Sequence, residues 1–181
     1  LLGKIDSKSE KFDKIVYATK DIEAIEIPSY IRHIGSNAFR SCCRLTSCTF
    51  QPDSELEVIG EYAFSSTILK NFTVPRHVKE IKECAFNLSF NLKQIQFDDN
   101  SELLSIGERT FATTGIETIS IPDSVIELKD GWICDSVHLK RVIISPNNKN
   151  FVYLNNNLIL GKSDIKSDVF DSIVFADREI V

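Results

Sequence analysis

Five cysteines and three histidines are the residues of this 181-residue chain best suited to metal or nucleophilic chemistry. Such chemistry needs convergence: metal ligands at close spacing, or a nucleophile beside a base and an orienting acid. Cys42, Cys43 and Cys48 are near neighbours, but Cys84 and Cys134 stand alone and no Cys-x-x-Cys pair occurs. Structural thiols are therefore expected, with a disulfide from Cys43 to another group as the alternative. His33, His77 and His138 fall at unrelated offsets within the repeat described below, so no shared face collects them. Glu55, Glu57, Glu61, Glu102 and Glu108 recur with that repeat, which suits turn formation and solvation. Asn147, Asn148, Asn150, Asp164 and Asp168 are rich in oxygen, yet the alternating loop and fixed glycine of a calcium site are missing. Turn chemistry accounts for them. No catalytic, cofactor-binding or metal residue is nominated, and no cofactor is expected.

The elements that would carry any function repeat every 47 residues. Pro28, Pro75 and Pro122 each open a unit, followed by Ile31, Val78 and Val125, then Ile34, Ile81 and Leu128, then Phe39, Phe86 and Ile133, then Leu45, Leu92 and Leu139. A fixed period of this kind predicts a solenoid, whose units bury their apolar faces only by stacking on neighbours. The anchors Phe39, Phe64, Phe86, Phe111 and Ile133 alternate in steps of 25 and 22 residues. Two kinds of coil therefore take turns: one opens on proline, the other on an acidic turn, as in DSELEVIGEYAF at 53–64 and NSELLSIGERTF at 100–111. Gly35, Gly60 and Gly107 follow the second apolar residue, where a tight bend is expected.

Each coil also holds an apolar triad: Ile22-x-x-Ile25-x-Ile27, Leu45-x-x-Cys48-x-Phe50, Leu69-x-x-Phe72-x-Val74, Leu92-x-x-Ile95-x-Phe97, Ile116-x-x-Ile119-x-Ile121 and Leu139-x-x-Val142-x-Ile144. Their last four positions alternate, which predicts six stacked parallel strands. Leu-x-x-Leu-x-Leu is the strand segment of a leucine-rich repeat. With the Ala-Phe of NAFRSCCRL, YAFSSTIL and CAFNLSFNL, residues 22–146 resemble the bacterial-surface-protein-A (BspA) type of leucine-rich repeat. The expected fold is a right-handed leucine-rich repeat solenoid, mainly β with short helical turns and with parallel strands on the concave face. A small antiparallel meander is expected near the C-terminus, from Phe151 to Tyr153, an Asn155-Asn156-Asn157 turn, Leu158 to Leu160 and Ser172 to Phe175. Trp132 stands where other proline-type coils carry Ala38 and Ala85, which predicts a bulge or an outward indole.

Residues 1–22 and 159–180 match without a gap at an offset of 158, including Gly3, Asp6, Phe12, Asp13, Ile15 and Ala18 against Gly161, Asp164, Phe170, Asp171, Ile173 and Ala176. Together with the absence of Met, this predicts one module of a longer tandem array. Residues 1–21 then end a preceding module, 22–146 form the repeats, and 147–181 hold the meander and the start of the next module. Exposed solenoid ends are expected to fray or to associate with another molecule.

Composition fits an ordered domain, with 43% apolar and 26% charged residues. The net charge of -5 and the scattered Lys and Arg argue against nucleic acid, and no apolar run reaches membrane-spanning length. Membrane attachment would come only through other parts of a parent protein. The outward strand positions, Ala24 and Glu26, Ser47 and Thr49, Asn71 and Thr73, Gln94 and Gln96, Thr118 and Ser120, Arg141 and Ile143, form a mostly uncharged polar stripe. Either they hydrogen-bond across coils as a solvated ladder, or the stripe from Ser47 to Ile143 is a flat protein-binding face. In a parent protein secreted by a eukaryote, two sequons, Asn71-Phe-Thr73 and Asn87-Leu-Ser89, would place glycans on that face and on a turn. The family resemblance implies a non-enzymatic domain at the cell surface or outside the cell, mediating adhesion or protein interaction with host or extracellular-matrix proteins, or with other surface proteins. A passive spacer in a tandem-repeat surface protein is the alternative.

Overall fold

The computed structural model of the chain describes residues 1–8, 10–154 and 158–176. Each coil passes through one four-residue strand and one two-residue strand on opposite walls of the stack. The longer strands are Ala24–Ile27, Ser47–Phe50, Asn71–Val74, Gln94–Phe97, Thr118–Ile121 and Arg141–Ile144. The shorter ones, Lys14–Ile15, His33–Ile34, Val58–Ile59, Glu80–Ile81, Ser105–Ile106 and Glu127–Leu128, pair in parallel as one continuous ladder. From His33 onward this second wall recurs in the 25- and 22-residue steps of the phenylalanine anchors, the first step from Lys14 being 19.

The six longer strands are parallel, as their alternation predicts, but they do not form one sheet. They pair as 24–27 with 47–50, 71–74 with 94–97, and 118–121 with 141–144. Proline contributes to the gaps. Within a pair the ladder closes through Gln51 N–H to Ile27 O or Ser145 N–H to Ile121 O, each 3.0 Å. At the two seams the corresponding residues are Pro75 and Pro122, which have no N–H to donate.

The corners between the walls contain no helix among the described residues, and their hydrogen bonds explain why. Ala38, Arg40, Cys42 and Leu45 donate back to Gly35, Asn37, Phe39 and Cys42, making strings of i→i+3 turns. Asn37, Phe39 and Ser41 instead donate forward to Glu61, Ala63 and Ser65 of the next coil, at 2.8 Å each. That alternation requires left-handed backbone at Asn37 (φ 61°) and Ser41 (φ 56°), and it recurs at Tyr62 and Ser66, Cys84 and Leu88, Arg109 and Thr113. A helix cannot propagate through such residues. Gly35 and Gly60 open these turns, accepting from Ala38 and Ala63, but without a left-handed φ. They permit close approach, since a Cβ on Gly35 would lie 2.7 Å from Ile15 O and one on Gly60 2.7 Å from Ile34 O.

The core is a column of rings. Phe39 and Phe64 stack at 5.0 Å, Phe64 and Phe86 at 5.3 Å, and Phe86 and Phe111 at 5.6 Å, with Phe72 edge-on to Phe86. Beside the column, Ser89 Oγ donates to Phe64 O at 2.9 Å and Ser136 Oγ to Phe111 O at 2.8 Å, so buried carbonyls find partners at the repeat period. Cys42 occupies the same position in the first proline-type coil, its Sγ donating to Thr19 O at 3.6 Å.

Trp132 neither bulges nor swings outward. It is 1% exposed, its Nε1 donates to Val174 O at 3.3 Å, and its ring packs near that of Phe175. In the last proline-type coil, where the rings give way to Ile133, the indole fills the volume beneath the C-terminal sheet. That sheet joins Phe151–Tyr153, Leu158–Gly161 and Ser172–Ala176 in antiparallel order. The strands match the expected meander, whose Asn155-Asn156-Asn157 turn lies outside the described residues. At the other end, Leu2–Gly3 and Lys14–Ile15 form an antiparallel pair over the first coil.

Because Phe64 touches rings of both neighbouring coils, Phe64→Ala is expected to destabilise the stack by about 3–5 kcal/mol. Denaturant unfolding followed by circular dichroism measures this, and an unchanged midpoint would contradict the ring column.

Candidate protein-binding face

The outward positions of the longer strands lie where alternation places them. Ser47, Thr49, Asn71, Thr73, Gln94, Gln96, Thr118, Ser120 and Arg141 are exposed, and Ile143 is half-buried, while Cys48, Phe72, Ile95, Ile119 and Val142 point into the core. Strand pairing puts Asn71 beside Gln94, Thr73 beside Gln96, Thr118 beside Arg141 and Ser120 beside Ile143. Among the described residues, no hydrogen bond joins one of these side chains to another. Their donors and acceptors therefore face solvent.

A shallow groove runs over this face from Asn71 to Ile143. Its lining is amide and hydroxyl side chains interspersed with apolar ones such as Phe97, Pro122 and Ile143, and its two rims differ. At the strand C-terminal side, exposed Asp98, Asp99 and Asp123 border it; at the other lie Lys93 and Glu117, the latter ion-paired to Lys140 at 2.8 Å. The acidic rim is invisible to periodicity, because Asp98 and Asp123 stand at strand ends where they read as turn residues. Their sequence signal is that no Lys or Arg occupies 94–101 or 118–128.

The two sequons differ in setting. Asn71 is exposed on this face, whereas the Asn87 Oδ1 is buried without a partner and Ser89 is wholly buried.

Elsewhere a part-buried polar network serves the scaffold. Asn148 accepts from Asn150 and Phe151 amides and donates to Pro122 O and Val125 O, so it fastens the meander to the last proline-type coil. Among the described residues, no three His, Cys, Asp or Glu side chains gather as a metal site. No disulfide joins cysteines among the described residues, and burial pushes the Cys48 thiol up to about 12. His33 lies on the shorter-strand wall, His77 near Glu102 Oε1 at 3.1 Å, and Cys43 is exposed.

Stacked parallel strands, one pair of walls per coil and a ring column between them define a leucine-rich repeat solenoid. The chain belongs to the BspA-type leucine-rich repeat family, whose repeat model matches six copies over residues 10–140. It is similar in structure to the pneumococcal vaccine antigen PcpA, with a TM-score of 0.73 and 28% identity over 77% of this chain and 34% of that one. A leucine-rich repeat protein of Eubacterium ventriosum matches with a TM-score of 0.66 and 30% identity, over 79% of this chain and 37% of that one. A leucine-rich cell surface protein of Faecalibacterium prausnitzii shares the fold at 21% identity, with a TM-score of 0.56, over 78% of this chain and 43% of that one. The chain thus spans only about a third of the length of the first two. No curated protein matches it in sequence.

On the opposite wall, Arg32 donates to Glu57 at 2.7 Å, and this hydrogen bond holds the Glu57 carboxyl below its ordinary range. Burial lowers His33, against the pull of Glu57. Both groups bind protons more readily in the unfolded chain, so what they contribute to stability is complete above the ordinary His value of 6.5. It declines as pH falls, first through the His33 window and then through that of Glu57. The pair is partly exposed, so Arg32→Ala should cost about 0.2–1 kcal/mol at pH 7. That cost should shrink as pH falls below the ordinary Glu value of 4.5 and Glu57 takes up its proton, as urea titrations would show, and a cost independent of pH would contradict the assignment.

Proposed function

We propose that this domain binds protein through the groove floored by Asn71, Thr73, Gln94, Gln96, Thr118 and Ser120. The supporting observation is that these exposed amides and hydroxyls lie side by side in fixed register and do not bond one another, leaving directional groups for a partner. A rigid, repeated scaffold presents them with little ordering cost on binding. The acidic rim at Asp98, Asp99 and Asp123 favours a partner with basic residues along that side. Placement in a cell-surface or extracellular protein, and a role in adhesion to host or extracellular-matrix proteins, extend the reading. They are supported by family membership and by the similarity to a pneumococcal vaccine antigen. A leucine-rich repeat solenoid is an interaction scaffold, and the proposal requires no catalysis.

Binding of the chain to immobilised extracellular-matrix proteins tests this by surface plasmon resonance. Gln94→Glu with Thr118→Lys is expected to weaken binding at least about tenfold, since a desolvated unpaired charge costs more than one such factor. Asp98→Lys with Asp99→Lys should weaken it with a reduced on-rate at low salt. Binding unaltered by both pairs would move the site off this face. No binding by the unsubstituted chain would favour a passive spacer.

A further inference from the structure

The two ends of the chain carry the same hairpin, and each copy shows a different half of its surroundings. In the first copy Leu2 pairs with Ile15 and Gly3 with Lys14; in the second Leu160 pairs with Ile173 and Gly161 with Ser172. Asp13 Oδ1 accepts from the Ile5 amide at 2.8 Å, and Asp171 Oδ1 from the Ser163 amide at 2.8 Å. Lys4 lies over Phe12 at 5.2 Å, as Lys162 lies over Phe170 at 5.2 Å. The duplication at an offset of 158 is therefore one of geometry as well as sequence.

Burial differs between the copies in a complementary way. Ile159 in the second copy is 1% exposed, because the preceding strand Phe151–Tyr153 and the last coil cover it, whereas its counterpart Leu1 is 80% exposed. Ile15 in the first copy is 5% exposed, because the coil containing His33–Ile34 covers it, whereas its counterpart Ile173 is 66% exposed. Ala18 and Ala176 differ in the same sense, one buried and the other exposed.

The first copy also shows what the open edge accepts. Arg32 and His33 donate to Asp13 O at 2.8 and 3.1 Å, Gly35 donates to Ile15 O at 2.7 Å, and Ala18 donates to Ala38 O at 2.8 Å. The matching groups at the second copy are Asp171 O, Ile173 O and Ala176 N–H. A coil seated there needs glycine at the position of Gly35, because a Cβ would meet the carbonyl of the hairpin isoleucine at 2.7 Å.

We propose that the hairpin Leu158–Ala176 is a two-sided joint whose outer edge takes a further solenoid coil of the Pro28–Phe39 type, carried by the same polypeptide. The coil pairs in parallel with Ser172–Ile173 in the register that His33–Ile34 adopts with Lys14–Ile15, and it buries Ile173. A second copy of the chain is a poorer occupant, since its own first hairpin already covers the equivalent coil.

The test is an extended chain in which residues 23–146 are appended after residue 180, preserving the 158-residue register. Hydrogen exchange at 171–176 should slow at least about tenfold on extension, as closing an open edge requires. Ile173→Asp should leave the melting temperature of the 181-residue chain unchanged and lower that of the extended chain, while Ile15→Asp lowers both. Unchanged exchange at 171–176, appended coils that stay unprotected, or an Ile173→Asp substitution harmless in both chains would overturn the joint. Concentration-dependent association of the 181-residue chain that Ile173→Asp abolishes, seen by analytical ultracentrifugation, would overturn the same-polypeptide source in favour of a second copy.

Discussion

The fold depends on backbone amides that leave one coil for the next. At each corner, alternate residues donate within the coil and across it, and neither set alone would satisfy the buried main chain. Forward donation requires left-handed backbone twice per corner, at residues such as Asn37 and Ser41. Those conformations cost energy for non-glycine residues, and the ring column beside them, Phe39 to Phe111, holds them in place. Packing and hydrogen bonding are thus coupled coil by coil, and the two-wall architecture follows.

The sequence shows much of this, because solenoid packing imposes one residue type on one offset. The anchors Phe39, Phe64, Phe86 and Phe111 and the strand cores from Ile25 to Val142 are readable since each must fit the coil on either side. The second ladder, including His33–Ile34 and Glu80–Ile81, escapes detection because two-residue strands carry too little alternation to register. The split into three strand pairs is hidden for another reason: a missing N–H at Pro75 matters only once the partner's register is known. Trp132 misleads because its slot looks like that of Ala38, while its actual neighbour is the meander, more than 40 residues away in sequence.

The candidate face is legible in part. Alternation alone gives which side chains point outward, from Ser47 to Arg141. It does not give whether neighbouring amides bond one another, since that depends on rotamers, nor does it give the acidic rim, which lies outside the repeating positions. The face and scaffold also use separate residues. Outward positions such as Gln94 and Thr118 touch no core ring, so they can diversify without disturbing the column.

The two seams at Pro75 and Pro122 leave the two walls unequally laced. One wall is laced continuously from Lys14 to Leu128, while the wall bearing the polar groove is laced only in pairs. Curving the rod about the continuous wall breaks no strand-to-strand rung at the seams. The wall is accordingly three strand pairs on a common spine, and the groove spans two of them across the Pro122 seam, so the continuous wall and the core, not rungs of its own, hold its amide rows in register there.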